Sequence, residues 1–199
     1  MISIYNIKPR FQRLLTPVLT ALHKAGVTAN QITLSSLALS FCIGFTCWFG
    51  PEHHLLFLAL PIGLFIRMAL NALDGMMART YNQQSKSGEL LNELGDVVSD
   101  LFVFFPLLRF EWNNVYLIVL FISLSTVNEF AGIMGKVISG ERRYEGPMGK
   151  SDRAFALGVY GICCFCSLVT KDISAGFFTA LIGMLLISTY TRIRKTLNK

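Results

Sequence analysis

Histidine is scarce in this chain, and its cysteines are poorly placed for metal chemistry. His53 and His54 stand in a short turn with no carboxylate or cysteine set beside them, so they read as solvent-exposed side chains rather than ligands. Cys42, Cys47, Cys163, Cys164 and Cys166 all fall inside apolar runs without metal-ligand spacing. They read as small buried hydrophobes and say little about redox compartment. Charge is scarce too: 15% of the 199 residues are Asp, Glu, Lys or Arg, against 53% hydrophobic, and the mean hydropathy is +0.52. Such a balance excludes an ordinary soluble domain and implies a small integral membrane protein forming one domain over residues 1–199. A net charge of +6 would suggest nucleic acid in a soluble chain. Here the bilayer is the expected partner, no nucleic acid is expected, and the placement of the charges matters more than their sum.

Apolar runs at about 31–50, 54–73, 90–108, 114–135, 153–170 and 174–191 each approach the roughly 20 residues a bilayer requires, which predicts an all-α fold with six transmembrane helices. The loops between them divide the basic residues unequally. Lys8, Arg10, Arg13 and Lys24, then Arg79 and Lys86, then Lys136, Arg142, Arg143, Lys150 and Arg153, and finally Arg192, Arg194, Lys195 and Lys199 fall on one side; Arg109 and Lys171 fall on the other. That asymmetry places both termini in the cytoplasm. Residues 3–25 carry Ile4, Ile7, Phe11, Leu14, Leu15, Val18, Leu19 and Leu22 on one stripe with basic residues among the rest, the pattern of an amphipathic helix lying in the membrane interface. Its apolar residues are dispersed and no small-residue cleavage site follows, so it does not read as a cleavable signal. Thr28 precedes the first apolar run as an N-cap.

The chemistry concentrates between Asn71 and Asp100. Asn71 and Asp74 are three residues apart, and Asn92, Asp96 and Asp100 are each four apart, so each set lies along one face of its own helix. Two such faces joined by a short loop gather oxygen ligands without histidine or cysteine, which suits Mg²⁺ or Mn²⁺ and, with it, a phosphate. Arg67 lies one turn before Asn71, and Glu129 lies in the fourth apolar run. A charge at that depth is costly and should face the interior, either as a structural ion-pair member or as a lining of the substrate cavity. Both readings stay open.

The spacing also resembles the signature of the CDP-alcohol phosphotransferase family, Asp-x2-Asp-Gly-x2-Ala-Arg-x8-Gly-x3-Asp-x3-Asp. Asp74, Gly75, Ala78, Arg79, Gly88 and Asp96 fall on it, while Asn71 and Asn92 replace its first and third acids. Thr28-Ala-Asn-Gln-Ile-Thr33 is similar to the segment preceding the first span in that family, with Ala29 in place of proline. The resemblance implies a short bacterial inner-membrane enzyme that passes the phosphoalcohol of a CDP-alcohol such as CDP-diacylglycerol to an acceptor hydroxyl and releases CMP. It implies Asn71, Asp74, Asn92, Asp96 and Asp100 as the metal set, with Asp96 as general base. Asn30, Asp74, Gly75, Ala78, Arg79 and Gly88 would hold the nucleotide. Gly149-Lys150 is similar to a stretch of phosphatidylglycerophosphate-synthase-like relatives, which points Lys150, Arg153, Arg142 and Arg143 toward an acceptor phosphate; the alternative is plain anchoring of a basic loop to anionic lipid.

Two other functions remain open at this stage. Two lost acids suit a non-catalytic relative that binds nucleotide or lipid as a scaffold, and Arg67, Glu129 and Asp100 could line the path of a small transporter. Against the transporter stands the lack of an inverted repeat or paired broken helices. The acceptor alcohol is not legible. A homodimer is expected, with the small surfaces at Gly132 and Gly135 or Gly158 and Gly161 as candidate faces. The charge asymmetry predicts that a cysteine placed at Gln84 is labelled from the cytoplasmic side only; labelling from the far side would invert the topology.

Overall fold

The computed structural model describes residues 8–198, and within them the chain is helical without strands. Residues 3–7 of the expected interfacial helix lie outside the described residues. The remainder forms α1 (Lys8–Lys24), which Pro17 does not interrupt. Then follow α2 (Ala29–Trp48), α3 (Ala59–Thr80), α4 (Lys86–Phe104), α5 (Val115–Ser139), α6 (Lys150–Phe165) and α7 (Lys171–Leu197). Short 3-10 turns at His54–Leu58 and Phe105–Arg109 precede α3 and follow α4.

A helix stands at each of the six apolar runs, and among the described residues four elements are long and apolar enough to cross a membrane: Ala29–Trp48, His54–Thr80, Val115–Ser139 and Lys171–Leu197. Between them, α4 carries Lys86, Glu89, Glu93, Asp96 and Asp100, and α6 has 16 residues. Charge sets α4 apart from those four, and length sets α6 apart. Large apolar side chains such as Phe45, Phe65, Phe130 and Ile187 point outward, as expected of helices solvated by lipid.

Local chemistry sets the helix ends. Thr28 caps α2 through a reciprocal box with Gln31, Ser85 caps α4 by accepting from Gly88 N–H at 3.0 Å, and Asn114 and Thr170 cap α5 and α7. Gly140, at φ 77°, ends α5 in the left-handed conformation glycine tolerates. α2 packs against α3 and α4, α3 against α1 and α6, and α5 against α7. The main core gathers Phe57, Leu60, Phe104, Phe110, Phe121, Leu157 and Phe178. A smaller core of Leu19, Ala29, Ile32, Leu73 and Met77 joins α1 to α2 and α3, so part of the α1 stripe is spent inside the protein while Leu14 and Val18 remain exposed. Far from this small core, Arg109 clasps Glu52 and the Trp48 carbonyl, and its guanidinium holds the Glu52 carboxyl below the usual carboxylate range.

The glycine pairs expected to face a second copy are used within the protomer. A Cβ on Gly135 would meet the Arg143 side chain at 2.4 Å, and one on Gly132 the Arg143 carbonyl at 2.7 Å. On α6, a Cβ on Gly161 would lie 2.7 Å from Leu60, and Gly158 faces Pro61. Sequence spacing shows small surfaces but not which neighbour they admit. The tightest approach is at Gly44, where a Cβ would lie 2.1 Å from the Phe102 carbonyl oxygen. Gly44→Val is expected to part α2 from α4 and to destabilise the protein in detergent by about 2 kcal/mol in a thermal or denaturant melt.

Candidate active site

Three helices contribute to the site. α3 carries Arg67, Asn71, Asp74, Gly75 and Ala78; α4 carries Gly88, Asn92, Asp96 and Asp100; and α2 lies beside both with Asn30, Thr33 and Ser36. Between them opens a cavity of about 560 Å³ lined by Asn30, Thr33, Asp74, Gly75, Ala78, Gly88 and Asn92, with Gln83, Gln84, Ser85 and Lys86 from the α3–α4 connection. Asp74 is buried on its wall. Its Oδ2 accepts from the Thr33 hydroxyl at 3.0 Å and its Oδ1 from Gly75 N–H at 2.5 Å. Asn71 Oδ1 accepts from the Ser36 hydroxyl at 2.9 Å. Gly88 needs its missing side chain, because a Cβ there would lie 2.7 Å from Asn30 Oδ1. Arg79 does not line the cavity; it is exposed, with its guanidinium folded over Gly75.

Beyond the cavity the polar residues pair with one another. Lys150 Nζ donates to Asp96 Oδ1, and Arg67 reaches the Asp96 carbonyl at 3.5 Å. Asp100 has both oxygens engaged, Oδ1 by Arg67 at 2.7 Å and Oδ2 by Arg153 at 2.7 Å. Arg153, 1% exposed, also donates to Glu129 Oε1 at 2.9 Å and to the Met148 carbonyl at 3.1 Å. Arg142 bridges Glu93 at 2.6 Å and Glu129 at 3.1 Å. Arg192 approaches Glu129 at 3.9 Å while donating to the Asn128 carbonyl at 2.5 Å. The open question about Arg67 and Glu129 thus has a structural answer: both belong to buried ion pairs.

Of the expected site residues, Asn30, Asp74, Gly75, Ala78, Gly88 and Asn92 meet around the cavity, and Asn71 joins them beside Ser36. Asp96, Lys150, Asp100, Arg153 and Arg142 meet in the ionic web. Arg143 stands apart, buried against α5 with Ser139, Glu141 and Glu145. Sequence reading missed Thr33, Ser36, Gln83, Glu93 and Arg192. The hydroxyls left a signal, since Thr33, Ser36 and Ser40 recur at helical spacing within an apolar run; the others left none.

The donors present suit a hard cation. Asp74 and Asp96 are carboxylates, Asn71 and Asn92 offer amide oxygens, and no thiol or imidazole intrudes. Among the described residues no three His, Cys, Asp or Glu side chains converge as a ligand group.

A family model for CDP-alcohol phosphatidyltransferases matches residues 26–191. The chain belongs to that family. Its relatives include the inner membrane protein YnbA of Escherichia coli, 49% identical over 160 residues, which cover 80% of this chain and 79% of that protein. A phosphatidylinositol phosphate synthase of Corynebacterium glutamicum is 33% identical over 100 residues, covering 50% of this chain and 43% of the synthase. Crystal structures of the Mycobacterium tuberculosis phosphatidylinositol phosphate synthase share this fold. The form with CDP-DAG bound superposes with a TM-score of 0.76 at 21% identity over 92% of this chain and 94% of that one. The form in complex with manganese and citrate gives 0.75 at 20% identity, covering 92% and 88%.

Within this family member, the ionic web separates a structural acid from the cavity acids. Asp100→Asn leaves Arg67 and Arg153 short of a buried counter-charge and is expected to destabilise the metal-free protein by about 3 kcal/mol. Asp74→Asn removes a carboxylate that has no ion pair among the described residues and is expected to stay within about 1 kcal/mol of the parent. Thermal melts of both variants in chelator check the contrast.

Proposed function

We propose that the protein transfers a phosphatidyl group from a CDP-alcohol, CDP-diacylglycerol being the donor, to the hydroxyl of an acceptor and releases CMP in phospholipid synthesis. The observation that carries this reading is the cavity itself: Asp74, Asn92 and the side-chain-poor positions Gly75, Ala78 and Gly88 line one space, with Asp96 in electrostatic reach of Asp74. The crystallised mycobacterial relative with CDP-DAG bound supports the choice of donor.

Asp74, Asp96, Asn71 and Asn92 would hold Mg²⁺ or Mn²⁺, which when bound supplies positive charge to the diphosphate and to the departing CMP. The residues of the chain do the rest. Gly75, Ala78 and Gly88 let the nucleotide lie against helix backbone, and Lys86, the one cation among the lining residues, offsets phosphate charge. As the acceptor oxygen attacks the phosphorus in line, Asp96 takes the hydroxyl proton; the new P–O bond forms while the anhydride bond to CMP breaks. Lys150, hydrogen-bonded to Asp96, stands where an anionic acceptor would be drawn in, and Arg142 lies in the same web. A phosphorylated acceptor suits this surplus of guanidinium and ammonium groups. The reading places the enzyme in a bacterial inner membrane with cytoplasmic termini, as a homodimer.

One observation favours a binding-only relative instead, namely that both lost acids sit at cavity or cavity-side positions, Asn92 and Asn71. Reconstituted protein with CDP-diacylglycerol, Mn²⁺ and a panel of acceptors separates the two, because only the enzyme releases CMP. Asp74→Asn and Asp96→Asn are expected to lower CMP release by about 10³-fold or more, whereas Asn92→Asp keeps activity. Since affinity in oxygen-ligand sites follows ligand charge, calorimetry without nucleotide should find a single weak Mn²⁺ site that Asn92→Asp tightens. Two tight sites in the parent protein would contradict this account of the asparagines.

A further inference from the structure

The residues between Arg79 and Gly88 carry no part of the family signature, yet they build a wall of the donor cavity through Gln83, Gln84, Ser85 and Lys86. Gln83 is held at both ends. Asn82, in the left-handed conformation at φ 54°, turns the chain so that Gln83 N–H donates to the Ala78 carbonyl at 2.9 Å, closing the C-terminus of α3. Its side chain is anchored as well, for Ala29 N–H, at the start of α2, donates to Gln83 Oε1 at 2.8 Å. A backbone N–H is a donor only, so the amide oxygen must be the atom that faces it. The carboxamide NH₂ is then the end left over, on a half-buried side chain lining the cavity.

We propose that Gln83 selects the base of the donor nucleotide, its NH₂ donating to the O2–N3 edge of cytosine. This rests on reading the cavity as the donor site. The oxygen ligands Asp74 and Asn92 fix where the diphosphate lies, and Gly75, Ala78 and Gly88 keep a slot open between them and the α3–α4 connection. A nucleotide lying in that slot carries its base to Gln83. Cytosine presents two adjacent acceptors there, whereas uracil presents an N–H beside its carbonyl and would set donor against donor. A fixed donor rejects the mismatched ring because one polar group of each pair is left unsatisfied.

Gln83→Glu isolates the role, since the carboxylate still accepts from Ala29 N–H but has no hydrogen to donate. Calorimetry on the full chain in detergent with Mn²⁺, using CMP and UMP as probes, is expected to show the parent preferring CMP by about tenfold. Gln83→Glu should keep the parent's thermal midpoint and lose that preference, with CMP weakened by about tenfold. A preference that survives in Gln83→Glu, or a parent that binds both nucleotides equally, overturns the assignment and leaves the donor-site reading standing. A parent that binds neither nucleotide overturns the donor-site reading and this assignment with it.

Discussion

The structure depends on Arg153, a guanidinium 1% exposed in the middle of a largely apolar bundle. Removing such a charge from water costs several kcal/mol, and the cost is met only when opposite charges and carbonyls surround it in good geometry. Arg153, on α6, is met by Asp100 from α4, Glu129 from α5 and the Met148 carbonyl. Each partner then needs its own balance: Arg67 of α3 for Asp100, Arg142 for Glu129, and Glu93 for Arg142. One buried cation thus sets the relative positions of α3, α4, α5 and α6. Apolar packing tolerates small sliding; a closed set of ion pairs does not, because a shift that lengthens one pair leaves a buried charge uncompensated. The same constraint accounts for α4, whose charge content would be untenable on a helix facing lipid.

Much of this was legible in the sequence, and the residues show where legibility stops. Asn71, Asp74, Asn92 and Asp96 could be placed on two helix faces because the 3.6-residue period acts within each helix. Apolar runs marked where the helices stand, and several helices continue beyond them. α3 continues to Thr80, past the point where the apolar run stops, because Asp74 is satisfied by Thr33 and Gly75 and need not leave the helix. α5 continues to Ser139 because Gly140 is the residue able to end it. What one dimension does not hold is the partner of a charge. Asp100 has the spacing of a fifth ligand, yet its two oxygens are taken by Arg67 and Arg153, 33 and 53 residues away in the chain. Gly132 and Gly135 have the spacing of a helix-contact motif, and a returning loop residue, Arg143, fills the space.

The two asparagines take on meaning from their neighbours. Asn71 Oδ1 already accepts from Ser36, so it approaches any cation with one lone pair engaged and no formal charge. Asp74 accepts from Thr33 and Gly75 and so keeps a fixed orientation toward the cavity. A weakened first acid is thus paired with a strongly positioned second one. On the proposed reading, ion affinity would be lowered while the geometry is kept, which would make occupancy depend on what else brings charge to the cavity. A diphosphate brings it, and by linkage whatever raises the affinity for the ion when nucleotide is present raises the affinity for nucleotide when the ion is present.

Asp96 is where the two halves of the site touch. Its side chain takes Lys150 from the start of α6 and its carbonyl takes Arg67, so it belongs to the web; Lys150 and Asp96 also lie within electrostatic reach of Asp74, so it belongs to the cavity. A base at that junction cannot be altered from one side alone. On the proposed reading, a negatively charged acceptor would compete with Asp96 for Lys150, and a Lys150 drawn toward the acceptor would free the Asp96 carboxylate to accept a proton. The event that brings the nucleophile would thereby also uncover its base. Arg67 and Arg153 are held by Asp100 instead, a buried counter-charge other than the one paired with Lys150. An ionic frame closed on Asp100, with Lys150 paired to Asp96 at its edge, would let the site stay assembled while that single contact is exchanged.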